Sequence, residues 1–129
     1  MMNEPFRIII ICEDLILNAL LKKAFKLWIE NASVVVCNSF SGVKSISPDI
    51  TTDLIILDDF ITGTASHEIL HILRQKKKIK CPVYYLSNVE YWEEKKVLYQ
   101  GAHYFFKKPF DPEHLMKHIS EKTKARALA

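Results

Sequence analysis

The sequence predicts a doubly wound α/β domain, a parallel five-stranded sheet with helices on both faces. Three observations lead there. Short runs of β-branched and apolar residues recur without alternation, as in strands buried on both sides. Helical periodicity follows the runs, and no linker, repeat or low-complexity segment interrupts the series. With 129 residues, 49% hydrophobic and 26% charged, the chain has the size of one compact domain. Residues 1–129 therefore read as a single domain, with the core over about 6–122.

The first strand is the isoleucine run from Ile8 to Ile11. From Leu15 to Glu30, Ile16, Leu17, Leu20, Leu21, Ala24, Phe25, Trp28 and Ile29 recur at three- and four-residue spacing, opposite Lys22, Lys23 and Lys26, and predict a helix. Val34 to Cys37 predicts the second strand, with a short helix near Val43 to Ile46. Leu54 to Leu57 predicts the third, before a helix near Ser66 to Gln75. Val83 to Leu86 predicts the fourth, before a helix from Tyr91 to Gln100. The fifth covers Tyr104 to Phe106, and the last helix starts at Asp111-Pro112, since Asp caps helices well and Pro suits the first helical position. Lys124 to Ala129 reads as a helical tail, and the run Lys76-Lys77-Lys78 with Lys80 as a solvated turn.

Composition narrows the function classes. The formal charge of +3, from 18 Lys+Arg against 15 Asp+Glu, is too balanced to indicate a nucleic-acid or membrane partner. Cys12, Cys37 and Cys81 are odd in number, and two of them sit in or beside apolar runs, which disfavours a disulfide framework and favours a reducing compartment. The apolar run near the N-terminus is too short for a signal peptide or a membrane span. A cytoplasmic location is expected.

In an open α/β sheet, ligands bind beyond the carboxyl ends of the strands. Strand one ends in Cys12-Glu13-Asp14, strand three in Asp58-Asp59 and strand four in Ser87-Asn88, while strand five runs into Lys107-Lys108-Pro109. Carboxylates at the ends of strands one and three suit a hard divalent cation. With a lysine and a hydroxyl nearby they form the set that phosphoryl transfer needs: a nucleophilic carboxylate, positive charge for the transferring group and a donor for one of its oxygens. Polar strand ends are common to all α/β proteins, so the conjunction carries the signal rather than any one residue.

With these residues in view, the chain resembles the receiver domain of two-component response regulators across nearly all of residues 7–120. Asp53-Leu-Ile-Ile-Leu-Asp58 is similar to the family's third strand with its terminal phosphoacceptor, and Leu86-Ser87 to its strand-four end. Gly101-Ala102-His-Tyr-Phe-Phe-Lys-Lys108-Pro109-Phe110 is similar to the turn and strand that deliver a Lys-Pro pair, a bond typically cis in the family. The resemblance implies a flavodoxin-like fold with strand order 2-1-3-4-5. It implies Asp58 as acceptor, Lys108 as charge partner, Ser87 as switch hydroxyl and Phe105 as the aromatic whose ring position reports activation. Mg²⁺ would be held by Glu13, Asp58 and the backbone carbonyl of Phe60.

The chain also departs from the family pattern. An ungapped match puts the family's acidic pair on Cys12 and Glu13, whereas a one-residue slip makes it Glu13 and Asp14 and brings Asp14 in as a metal ligand. A thiol of pKa ~8.5 in place of a carboxylate of ~3.9 is a poor Mg²⁺ ligand, so weakened metal affinity is expected. Thr62 stands where the family commonly has Pro, and Asn88 where it commonly has a small residue.

The implied reaction moves a phosphoryl group from a phosphohistidine donor to Asp58, with slow autodephosphorylation and no other enzymatic activity. Haloacid-dehalogenase-type phosphatases carry a general acid two residues beyond the nucleophile, where this chain has Phe60. Asp59 is adjacent instead, and strand alternation would point it to the opposite face. Phe60 and Val89 are apolar where the family flanks the attacking water, so a long-lived acyl phosphate is expected. The implied partners are a sensor histidine kinase or histidine phosphotransfer protein and a downstream protein target or fused output domain, with no direct nucleic acid and no membrane; a homodimer is compatible. Tyr91, Trp92, Tyr99, His103 and Tyr104 are the expected partner surface. The alternative is a phosphorylation-independent pseudo-receiver acting as an interaction module, which Cys12 and Asn88 favour.

Overall fold

The computed structural model describes residues 4–47, 51–88 and 91–128, the side chains of residues 91–94 excepted. Five strands, β1 (Phe6–Ile11), β2 (Ala32–Cys37), β3 (Leu54–Asp58), β4 (Val83–Ser87) and β5 (Tyr104–Lys107), form one sheet in the order β2-β1-β3-β4-β5. Every strand pair is parallel. The helices are α1 (Leu15–Trp28), α2 (Phe40–Lys44), α3 (Ser66–His71), which runs on as a π-helical turn over Ile72–Lys76, α4 (Tyr91–Tyr99) and α5 (Pro112–Lys122). This is the doubly wound, flavodoxin-like order expected from the sequence.

The sheet separates two apolar layers because alternate residues of a strand face opposite sides. Ile8, Ile10, Leu54, Ile56 and Tyr84 pack towards α1 and α5, against Leu21, Phe25, Leu115 and Ile119. Ile9, Ile11, Ile55, Leu57 and Tyr85 pack on the other side, with Val43, Ile69, Leu73 and Val97. All five residues of β3 and of β4 are buried, whereas the edge strand β2 alternates in exposure. Hence the carboxyl end of β3 delivers its last residue to the middle of the sheet edge, already shielded from water.

Helix α1 buries only part of the face its periodicity suggested. Asn18, Leu21, Ala24 and Phe25 are buried with Leu17 against them, while Ile16, Leu20 and Trp28 are exposed. The Asp14 carboxylate caps the entry of the helix by accepting from the N–H groups of Ile16 and Leu17 at 2.9 and 3.2 Å. Helix α2 begins earlier than expected because Ser39 caps it, accepting from Gly42 N–H at 3.1 Å. Asp111 and Pro112 open α5 as expected.

The expected helical tail is absent. Thr123 ends α5 in extended conformation, its hydroxyl donating to Ile119 O at 2.7 Å and accepting from Ala125 N–H at 3.1 Å. The chain then pairs antiparallel with the end of α1, through Glu30 N–H to Arg126 O at 2.7 Å and Leu128 N–H to Trp28 O at 2.9 Å, and buries Ala125. Among the described residues no helix is long and apolar enough to cross a membrane.

The amino edge of the sheet is braced by one side chain. Arg74, on the π-helical turn, donates to Gly101 O at 2.8 and 3.1 Å and to Ile79 O and Cys81 O, each at 2.8 Å. Gly101 has φ +122, and a Cβ there would lie 3.0 Å from Arg74 Cγ, so both backbone conformation and space require glycine.

Candidate functional site

The sequence-predicted residues at the ends of β3, β4 and β5 meet at the carboxyl edge. Asp58, the last residue of β3, is 3% exposed because the four residues before it are fully buried core. Lys108 follows β5, its backbone N–H donating to Ser87 O at 2.8 Å, and its ammonium forms an ion pair with Asp58 Oδ1. The Lys108–Pro109 bond is cis, as the resemblance implies. Burial pushes the Asp58 carboxyl above its ordinary range, with the hydrogen bond and charge of Lys108 opposing it. Lys108 itself is raised: burial would lower it, but its hydrogen bonds to Asp58 and Asp59 prevail.

Asp59 does not point away. Strand β3 stops at Asp58, so alternation no longer governs the next residue, and the Asp59 side chain turns back to the site. Lys108 Nζ lies 3.0 Å from its Oδ1, while Ser87 Oγ donates to its Oδ2 at 2.8 Å and Asn88 N–H to the same oxygen at 3.4 Å. Burial alone would raise this carboxyl; the hydrogen bonds from Lys108 and Ser87, together with the Lys108 charge, outweigh burial and hold it below the usual range. Sequence reasoning missed this contact. The available signal was two acids in succession where the strand ends.

The acids of strand one are committed elsewhere. Glu13 accepts from Thr62 N–H at 2.9 Å and from the Thr62 hydroxyl at 2.6 Å, and these bonds lower its carboxyl from the ordinary value. A proline at 62 could make neither bond. Asp14, the alternative ligand, is the α1 cap, which supports the ungapped match and not the slipped one. Cys12 is fully buried, and its thiol donates to Asp58 Oδ2 at 3.6 Å. Burial, and then the Asp58 charge, push that thiol up to about 12, so it stays protonated.

Receiver domains generally bind Mg²⁺ at an acidic pocket. The side chains here do not fit that ion: Glu13 is held by Thr62, Cys12 offers a protonated sulfur, and an ammonium already covers Asp58. Among the described residues, no group of three or more His, Cys, Asp or Glu is placed to hold a metal.

The remaining expected residues are dispersed. Phe105 is half-buried beside Tyr85, with ring centroids 5.8 Å apart, and Tyr85 donates its hydroxyl to Ser66 Oγ at 2.8 Å. Tyr99 is 93% exposed. Tyr104, expected on the same surface, instead packs on Tyr84 and His118 at 4.9 and 4.7 Å, because it neighbours Phe105 on β5 and so faces the other side. His103 is exposed, but Arg74 engages its Nδ1 at 3.1 Å. The side chains of Tyr91 and Trp92, and all of Val89, lie outside the described residues.

A doubly wound parallel sheet with an acid, a hydroxyl and a lysine gathered at its carboxyl edge defines a flavodoxin-like α/β domain with a strand-end carboxylate–lysine site. Residues 8–120 match the response regulator receiver domain, and the chain belongs to that family of two-component signalling. Similar solved structures include the receiver domain of the Francisella response regulator 1452, at 20% identity and TM-score 0.79, covering 92% of this chain and 95% of that one. A CheY-like receiver domain protein from Methanospirillum hungatei shares 21% identity over 92% and 94% of the two chains, TM-score 0.79. The chemotaxis regulator CheY4 of Vibrio cholerae shares 16% over 92% and 98%, TM-score 0.79. No curated protein matches the chain.

Proposed function

We propose that this receiver domain accepts a phosphoryl group on Asp58 from a phosphohistidine donor, a sensor kinase or a phosphotransfer protein, and so switches a protein-binding surface. The single observation behind this reading is the buried Asp58 carboxylate paired with Lys108 at the sheet edge, next to Ser87. In the transfer an Asp58 oxygen bonds to phosphorus while the N–P bond of the donor breaks, its electron pair staying on the imidazole nitrogen. Lys108 offsets charge on the phosphoryl oxygens, and Ser87 Oγ and Asn88 N–H are the donors within reach of them. The Cys12 thiol holds Asp58 Oδ2 without competing for the proton balance, since it remains neutral.

The test is incubation with acetyl phosphate, with and without Mg²⁺, read by intact mass. Wild-type protein should gain one phosphoryl group and Asp58→Asn none; equal gain in both removes Asp58 as acceptor.

A second reading, a phosphorylation-independent interaction module, is favoured by the Glu13–Thr62 bonds and by Cys12 at an acidic position. Acetyl phosphate separates the two, because only an acceptor shows backbone NMR shifts at Ser87 and Phe105 that Asp58→Asn lacks.

A further inference from the structure

The donors that a phosphoryl group on Asp58 would use are engaged by a carboxylate already in the chain. Ser87 Oγ and Asn88 N–H converge on one oxygen of Asp59, at 2.8 and 3.4 Å, and Lys108 Nζ reaches the other at 3.0 Å. Lys108 at the same time pairs with Asp58, so its ammonium is shared between the acceptor and its neighbour. The Asp59 side chain is only 15% exposed, so these charge-assisted bonds form where water competes poorly. Its tether is a single peptide unit from Asp58, which keeps its effective concentration at these donors far above that of a free anion.

We propose that the Asp59 carboxylate is a resident anion of the phosphoryl cradle, occupying Lys108, Ser87 and the Asn88 amide in place of a phosphoryl group and leaving them only when Asp58 is loaded. The proposal rests on the reading of these groups as a phosphoryl cradle. It has two consequences. Ser87 and Lys108 are drawn together before any phosphorylation, and loading of Asp58 carries the added cost of displacing Asp59.

The test uses the full chain as wild type, Asp59→Asn, Asp59→Ala and Asp58→Asn. Asp59→Asn keeps the side-chain shape and an oxygen for Ser87, and circular dichroism checks that each variant is folded. In ¹H–¹⁵N spectra, inorganic phosphate should shift the Ser87 and Asn88 amides of Asp59→Ala at concentrations that leave wild type unmoved, and acetate should draw them back towards their wild-type positions. With acetyl phosphate, Asp59→Asn should load Asp58 faster than wild type, because the neutral amide no longer competes as an anion for Lys108. Equal phosphate response in wild type and Asp59→Ala overturns the resident anion, whatever the loading rates. If phosphate binds Asp59→Ala at these amides yet no variant is ever loaded, the resident anion stands and the acceptor reading falls.

Discussion

At the scale of single residues, two substitutions relative to the family pattern explain the state of the pocket. Thr62 supplies an N–H and a hydroxyl where a proline would supply neither, and both are spent on Glu13. Cys12 supplies a neutral donor to Asp58 where a carboxylate would repel it. Cys12→Asp should therefore raise Mg²⁺ affinity by about tenfold, the effect expected when a ligand shell is repaired, as measured by isothermal titration calorimetry. If affinity stays flat while Cys12→Asp combined with Thr62→Pro binds the ion, the Glu13–Thr62 clasp is the dominant obstacle. Sequence reasoning reached Cys12, since a thiol among expected acids is visible in the letters alone. The Glu13–Thr62 bond was not legible, because it joins residues far apart in the chain and depends on where two loops come to rest. Asp59 was misread for a narrower reason: the strand rule was carried one residue beyond the end of the strand.

At the scale of elements, α5 meets β4 and β5 through aromatic packing in which His118 is central and His114 also touches Phe106, at 5.6 Å. The His118 ring contacts Tyr84, Tyr104 and Phe106 at 5.4, 4.7 and 5.2 Å, and its Nδ1 lies 2.7 Å from the Tyr84 hydroxyl. Burial lowers the His118 pKa, and the charges of Lys122 and His114 lower it further against Glu121. His103 moves the same way, first through burial and then through Arg74. For a base whose folded-state value lies below its unfolded one, the unfolded chain binds more protons in between, so stability is full above the unfolded pKa of ~6.5 and falls as pH drops below it. Melting temperatures taken from about pH 7.5 down to about 5.5 should decline, and His118→Phe should flatten part of that decline; an unchanged slope would place the dependence elsewhere. Buried strands and the α5 start were readable because apolar runs and Asp-Pro are local signals. The exact inward face of α1 was not, since apolar residues lie on more than one side of that helix.

At the scale of the whole molecule, a parallel sheet with helices on both faces followed from the sequence, because five buried runs separated by helical segments leave few parallel arrangements, while the strand order came with the resemblance to receiver domains. What the sequence concealed is an asymmetry between the two edges of the sheet. At the carboxyl edge the contacts are ionic, partly wet and borne by side chains that could exchange partners. At the amino edge, Arg74 grips three backbone carbonyls from the segments that lead into β4 and β5. In the time domain, this makes the two strands pivots: opening at the amino edge requires giving up several hydrogen bonds of one half-buried guanidinium at once, whereas regrouping at the other edge requires only side-chain rotations. Native-state hydrogen exchange should show the amides of Ile79 and Ala102, both buried beside this brace, exchanging more slowly than that of Asn88, and Arg74→Lys should erase the difference. The same brace would then fix which end of the molecule keeps still while the other responds on a faster clock.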